Sequence, residues 1–265
     1  MRPSRNEYVG VLAAIASSAL GGIAGGTTRF AIGMSDPVTL GVFRFGVGFL
    51  LLLLTGCGTV TLFQSSFNSN AVGSPPSHNQ ATGTIDVSGA PGSVVIVSAP
   101  PNATGNWARI QRIGQQAPIS VMQCNVSQFQ GDGSYSLLAV LFIPSGSGLA
   151  TVEFDTFAQA NPPSTGFLHL DFMQNNTVRI NDDNGQVFGT FPRDQFFTLA
   201  VNLEITSSSA TAHMNLFGAG ASGNKDLNNL TPLFLARQFG AVKFWMGFPW
   251  NGSFEVTDIL LTRKK

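Results

Sequence analysis

Two carboxylates stand two residues apart in Val152-Glu153-Phe154-Asp155, and on an extended strand that spacing puts both side chains on one face. Retaining glycoside hydrolysis uses two carboxyls about 5 to 5.5 Å apart, one held protonated as the acid. Glu153 and Asp155 are therefore the candidates for sugar chemistry. A solvated sheet face writes the same pattern, and surface carboxylates are the expected reading. Asn181-Asp182-Asp183-Asn184-Gly185 offers a second chemistry, because Asp182 and Asp183 supply the oxygen ligands a hard cation prefers. It lacks the long loop and closing glutamate of an EF-hand, so a turn is expected there, with no metal and no cofactor. For sugar binding the platforms are Trp107, Trp245, Phe248 and Trp250. The run Trp245-Met246-Gly247-Phe248-Pro249-Trp250 crowds large rings beside Gly and Pro, more than alternation alone can bury. The alternative is that Trp245 and Phe248 pack beneath a loop while Trp250 caps the sheet. No Ser/His/Asp or Cys/His set and no phosphate-cradling glycine loop stands out.

The remaining reactive types are sparse. His78, His169 and His213 have no metal-ligand spacing, and His169 and His213 fall in alternating runs where an edge or surface place is expected. Cys57 and Cys124 are too differently situated for a disulfide framework, and Cys124 reads as a buried thiol.

Short runs rich in Val, Ile, Phe and Thr, separated by Gly/Asn/Asp/Pro segments, must position these groups. They include Ile119 to Val126, Tyr135 to Ile143, Ala150 to Phe157, Gly166 to Phe172, Phe196 to Ile205, Ala241 to Met246 and Ser253 to Thr262. The pattern predicts a mainly β fold, a two-layer β-sandwich over residues 81–265. Asp183-Asn184-Gly185-Gln186 predicts a hairpin turn, and Leu230 to Gln238 reads as a short helix or another strand. Residues 57–80, uncharged and rich in Ser, Asn and Pro, read as a flexible tether. The closing strands, Phe196 to Glu204, Ala210 to Phe217 and Gly252 to Leu261, resemble the end of a concanavalin-like or laminin-G-like jelly roll. That resemblance implies a carbohydrate-binding or adhesion module, and equally a sandwich without a ligand.

Residues 1–56 have another character. Val38 to Gly56 is 19 residues with Arg44 as its only charge, a helix of roughly 28 Å that matches a bilayer core. Tyr8 to Ile32 is a second apolar stretch, dense in Gly, Ala and Ser, with Arg29 near its end. Met34-Ser35-Asp36-Pro37 turns between them, giving a transmembrane hairpin in which Arg29 and Arg44 are the costly polar insertions. Leu20 to Leu54, with Ser35-Asp36-Pro37-Val38-Thr39-Leu40 and Phe43-Arg44-Phe45, resembles the opening of the EamA domain of drug/metabolite transporters. The resemblance implies two helices of a many-helix carrier, so the hairpin reads as an anchor or a carrier fragment. Leu54-Thr55-Gly56-Cys57 also resembles a lipoprotein lipobox, which implies lipidation of Cys57 and a signal peptide over 34–56 beginning at Met34.

The charge balance limits the partners. Residues 1–56 carry a net +2 and the remainder a net −2, with no basic stripe for nucleic acid. Between Cys57 and Trp107 only Asp86 is charged, so no Lys or Arg holds that flank inside, and an exported domain is expected. The expected partners are membrane lipid and a polysaccharide or another envelope protein. The leading function is a membrane-anchored, non-catalytic interaction or structural β-sandwich module with glycan binding as its candidate activity; the alternatives are a surface glycoside-processing enzyme using Glu153 and Asp155, and a fragment or accessory hairpin of an EamA-type transporter.

Overall fold

The computed structural model describes residues 58–264 apart from 79–81, 113, 115–117, 156–165, 181–184, 207–208, 229, 231–238 and 247–250, and the side chains of 127–130. Cys57, Arg29, Arg44 and both apolar segments of the proposed anchor lie outside the described residues, as do Asp182, Asp183, Phe248, Trp250 and most of Leu230 to Gln238. Among the described residues no helix is long and apolar enough to cross a membrane.

The described part of the compact unit Thr59–Lys265 is mainly β. Its strands are β1 (Thr59–Ser65), β2 (Thr84–Ser88), β3 (Val94–Ser98), β4 (Asn106–Arg112), β5 (Ser120–Gln130), β6 (Gly133–Phe142), β7 (Ala150–Asp155) and β8 (Gly166–Phe172). They continue as β9 (Thr177–Ile180), β10 (Gln186–Thr190), β11 (Phe196–Ile205), β12 (Ala210–Phe217), β13 (Ser222–Leu227), β14 (Phe239–Met246) and β15 (Gly252–Lys264). Hydrogen bonding follows one path, β2-β5-β14-β7-β8-β9-β10-β13-β12-β11-β6-β15-β4-β3, and β1 pairs with β15. The ladders are antiparallel throughout, as hairpin connections require.

One continuous sheet buries its apolar face by doubling back in a jelly-roll-like sandwich. Tyr135 on β6 meets Phe239 on β14 with ring centroids 5.3 Å apart, and Phe172 on β8 meets Phe197 on β11 at 5.7 Å. These contacts join strands from the two arms of the path. Where the path passes between the arms, Gly189 of β10 faces Gly223 of β13. A Cβ on Gly189 would lie 2.6 Å from the Ser222 carbonyl oxygen and 2.8 Å from the Gly223 Cα, so the backbones approach more closely than any side chain permits. The inward positions are completed by residues such as Val152, Phe154, Leu199, Val201, Phe244 and Val256, all fully buried. Cys124 is a free, buried thiol in this core, and burial pushes its pKa well up.

The expected tether differs. Residues 59–65 form β1, whose register runs from Thr59 opposite Lys264 to Ser65 opposite Ile259. Its apolar side chains Leu62 and Phe63 are buried. Along the edge opposite β6, β15 is long enough to hold two partners, β4 at Gly252 to Val256 and β1 from Ile259 onward. A bulge between Thr257 and Leu260, with Asp258 at a φ of 47°, re-aims the strand between them.

Candidate functional site

The strands β2, β5, β14, β7 and β8 lie side by side, and their registers line up one polar residue from each. Asp86 faces Gln123, Gln123 faces Lys243, Lys243 faces Glu153, and Glu153 faces His169. The neighbouring rows add Asn125 and Asp155 on one side and Trp245, Thr151 and Asp171 on the other. The period of two explains the arrangement: Val152 and Phe154 of β7 and Val242 and Phe244 of β14 go into the core, which sends the residues between them to the opposite face.

The expectation of solvated carboxylates is corrected here. Glu153 is 4% exposed and Asp155 0%. Buried charges need partners, and Lys243, itself buried on the adjacent strand, supplies one. Its ammonium donates to Asp155 Oδ2 in a short ion pair and stands 3.6 Å from Glu153 Oε1. The Trp245 indole N–H donates to Glu153 Oε2 at 2.8 Å. His169 Nε2 is 3.8 Å from Glu153 Oε1, and that oxygen has no hydrogen-bond donor among the described residues. Flanking groups are similarly tied: Thr151 donates to Asp171 at 2.7 Å, Gln123 to Asn125 at 2.6 Å, and Asn125 to Asp86 at 2.7 Å.

Gly166 sets the floor between Glu153 and His169. A Cβ there would lie 2.3 Å from both Glu153 Oε1 and His169 Nε2. Glycine leaves these two side chains where they stand, and any Cβ would oblige one of them to shift.

Together these contacts make a chain of positioning. Asp155 holds Lys243, Lys243 lies against Glu153, and Glu153 fixes the edge of the Trp245 ring. Trp245 is only half-buried, and 19% of the His169 side chain is exposed. The ionic groups are therefore inside and the aromatic surface is at the boundary. Two-carboxylate hydrolysis needs both carboxyls to reach the substrate, and Asp155 is enclosed with its ion-pair partner. The arrangement is suited to presenting a fixed ring.

Trp107 is not a platform: it is 2% exposed, and its indole N–H donates to the Thr104 carbonyl at 3.2 Å. Among the described residues no group of three or more His, Cys, Asp or Glu is placed to hold a metal ion. Lys243 is the residue that sequence reasoning passed over, and a signal for it existed. In Ala241-Val242-Lys243-Phe244-Trp245-Met246 it is a lone charge in an apolar strand, where burial demands a counter-charge.

The chain matches no protein family and no curated protein sequence. Among solved structures it is similar to the lectin UEA-II complexed with galactose, at 9% identity and a TM-score of 0.48, over 78% of this chain and 99% of that one. Arcelin-5, a lectin-like defense protein from Phaseolus vulgaris, is similar at 10% identity and 0.45, over 78% of this chain and 98% of that one. Alginate lyase Aly36B is similar at 11% identity and 0.44, over 78% and 96%. No residue role is carried over from these likenesses, and neither the transporter nor the lipobox resemblance gains a match.

Proposed function

We propose that this chain is a non-catalytic carbohydrate-binding module in which Trp245 is the sugar platform and Glu153, Lys243 and Asp155 hold it in place. The observation that carries this reading is the half-buried indole whose N–H is pinned at 2.8 Å to a buried carboxylate. A ring fixed before the ligand arrives loses little conformational entropy on binding, and the apolar face of a pyranose stacks on it. Phe248 and Trp250, close in sequence, extend the candidate platform. Trp245→Ala is expected to weaken retention on a polysaccharide array about 30-fold, the loss of a contact worth roughly 2 kcal/mol. Glu153→Gln, which keeps an oxygen for the indole N–H, is expected to retain most of the binding. Turnover of β-glucans by wild-type protein and its loss in Glu153→Gln would replace this reading with the enzymatic one.

The module is proposed to be membrane-attached through residues 8–56, with its β domain on the exported side. The support is the 19-residue span from Val38 to Gly56 with one charge. Full-length protein is expected to stay in the membrane pellet after carbonate extraction, and recovery in the supernatant would reject the attachment. Mass spectrometry of the N-terminus separates the two anchors: a diacylated Cys57 supports the lipoprotein form, and an intact Met1 the hairpin. The carrier-fragment reading requires solute uptake by proteoliposomes, which a hairpin alone is not expected to support.

A further inference from the structure

A cavity of about 380 Å³ opens where β1 ends and the chain turns through residues 66–78. It lies on other elements than the Trp245 row and uses none of its residues. Its wall carries Gln64, Ser66, Ser69, Ser77 and His78, with the buried Phe67 behind them. Among the described lining residues there is no carboxylate, lysine or arginine, and their polarity comes from hydroxyls, amides and one imidazole. Burial lowers the His78 pKa, which leaves the ring neutral near pH 7, with one nitrogen to donate and one to accept.

The wall is held rigidly. Phe67 has a φ of 57° with its ring 1% exposed, a left-handed conformation that costs about 1–2 kcal/mol for a non-glycine residue. Surrounding bonds maintain it: Asn70 N–H donates to the Phe67 carbonyl at 2.9 Å, and Asn106 N–H to Asn68 Oδ1 at 2.9 Å. Asn106 Nδ2 donates to the Asn70 carbonyl, and Thr257 to the Ser66 carbonyl at 3.2 Å. Ser77 donates from both N–H and hydroxyl to Asn70 Oδ1, and His78 stacks on Phe63 at 4.5 Å with Nε2 3.2 Å from Thr82 Oγ1. The structure spends hydrogen bonds on fixing the loop and leaves the side chains of Gln64, Ser66 and Ser69 without an intramolecular hydrogen bond among the described residues.

We propose that this cavity is a second binding site, specific for a neutral polyhydroxylated ligand the size of one sugar ring. Hydroxyl groups donate and accept in the same manner as the serine, amide and imidazole groups of the wall, and the described lining residues carry no charge to compensate for desolvating an ion. The volume is at the lower end of the roughly 300–1,000 Å³ found for small-ligand sites.

The three histidines make the test direct. Full-length protein with labelled histidine, in a zwitterionic detergent without a sugar headgroup, is titrated by NMR with glucose, galactose, mannose and N-acetylglucosamine, and with gluconate as a charged control. At least one neutral sugar is expected to shift the His78 ring signals saturably, at least tenfold more tightly than gluconate. Ser69→Trp, which fills the cavity from an exposed position, is expected to weaken that Kd at least tenfold while the His213 signals stay in place. The His78 response is expected to survive Trp245→Ala, so it stands or falls separately from the platform. Absence of a saturable His78 shift with every neutral sugar, equal binding of gluconate, or indifference to Ser69→Trp would overturn the proposal.

Discussion

Lys243→Met is expected to destabilise the β domain by about 3–5 kcal/mol, because it removes the ammonium set against two buried carboxylates. Asp155 is 0% exposed and Glu153 4%, and the Lys243 ammonium is the cation placed against both. Methionine matches the lysine stem in length, so packing is largely kept and the loss reports on charge. For a domain of this size that corresponds to a fall in melting temperature of roughly 6–20 °C. The magnitude measures the cost of an abandoned charge, which exceeds the net worth of the pair. Lys243→Met combined with Asp155→Asn is therefore expected to recover a substantial part of the loss, a coupling that a double-mutant cycle reads. A single variant melting within 2 °C of wild type would show that the carboxylates do not depend on Lys243. The same substitution is expected to loosen Trp245, since its anchor Glu153 then lies beside an uncharged neighbour.

Strand patterning in the sequence locates most of this sheet and misses where composition contradicts geometry. Gly166 to Phe172 and Phe196 to Ile205 are strands over the expected residues. Each has alternating or continuous apolar residues that a two-layer fold buries. β13, Ser222–Leu227, has only Leu227 as an apolar core residue, and its sequence Ser-Gly-Asn-Lys-Asp-Leu reads as a turn. Its glycine is required by the close backbone approach to Gly189, a tertiary demand with no local signature. β1 reads as linker because Gln64-Ser65-Ser66 follows its apolar residues, while its partner β15 is about two hundred residues away.

The site is legible in part for a similar reason. Alternation places Glu153 and Asp155 on one face, as expected, yet says nothing about whether water reaches that face. Burial of that face depends on a partner cation from β14, ninety residues later, through a register that pairs Lys243 with Glu153. Trp245 is visible as an aromatic near a Gly/Pro loop, whereas the indole hydrogen bond that holds it is made to a different strand. Residues that act through long-range registers are invisible to a local reading even when each type is conspicuous.

Phe239→Ala is expected to cost about 3–5 kcal/mol, the range for removing a fully buried aromatic ring. Phe239 opens β14 at 0% exposure and touches three other rings: Tyr135 at 5.3 Å, Phe154 at 6.1 Å and Phe167 at 6.3 Å, the last nearly edge-on. Tyr135 belongs to β6, on the other arm of the sheet, so the lost ring is one of those joining the two layers. Aromatic contacts add about 0.5–1.5 kcal/mol each beyond area, but the three share one ring and are not additive. Phe239→Leu, which keeps more of the volume, is expected to lose less than half as much. Phe217→Ala on the outer face, where the ring is 44% exposed, is expected to stay within about 0.5 kcal/mol of wild type. Urea titrations of the three variants rank these effects directly. Equal losses for Phe239→Ala and Phe217→Ala would contradict the burial of Phe239 between the layers. A large loss confined to Phe239→Ala fits a core that depends on the aromatic cluster where β6, β7, β8 and β14 meet.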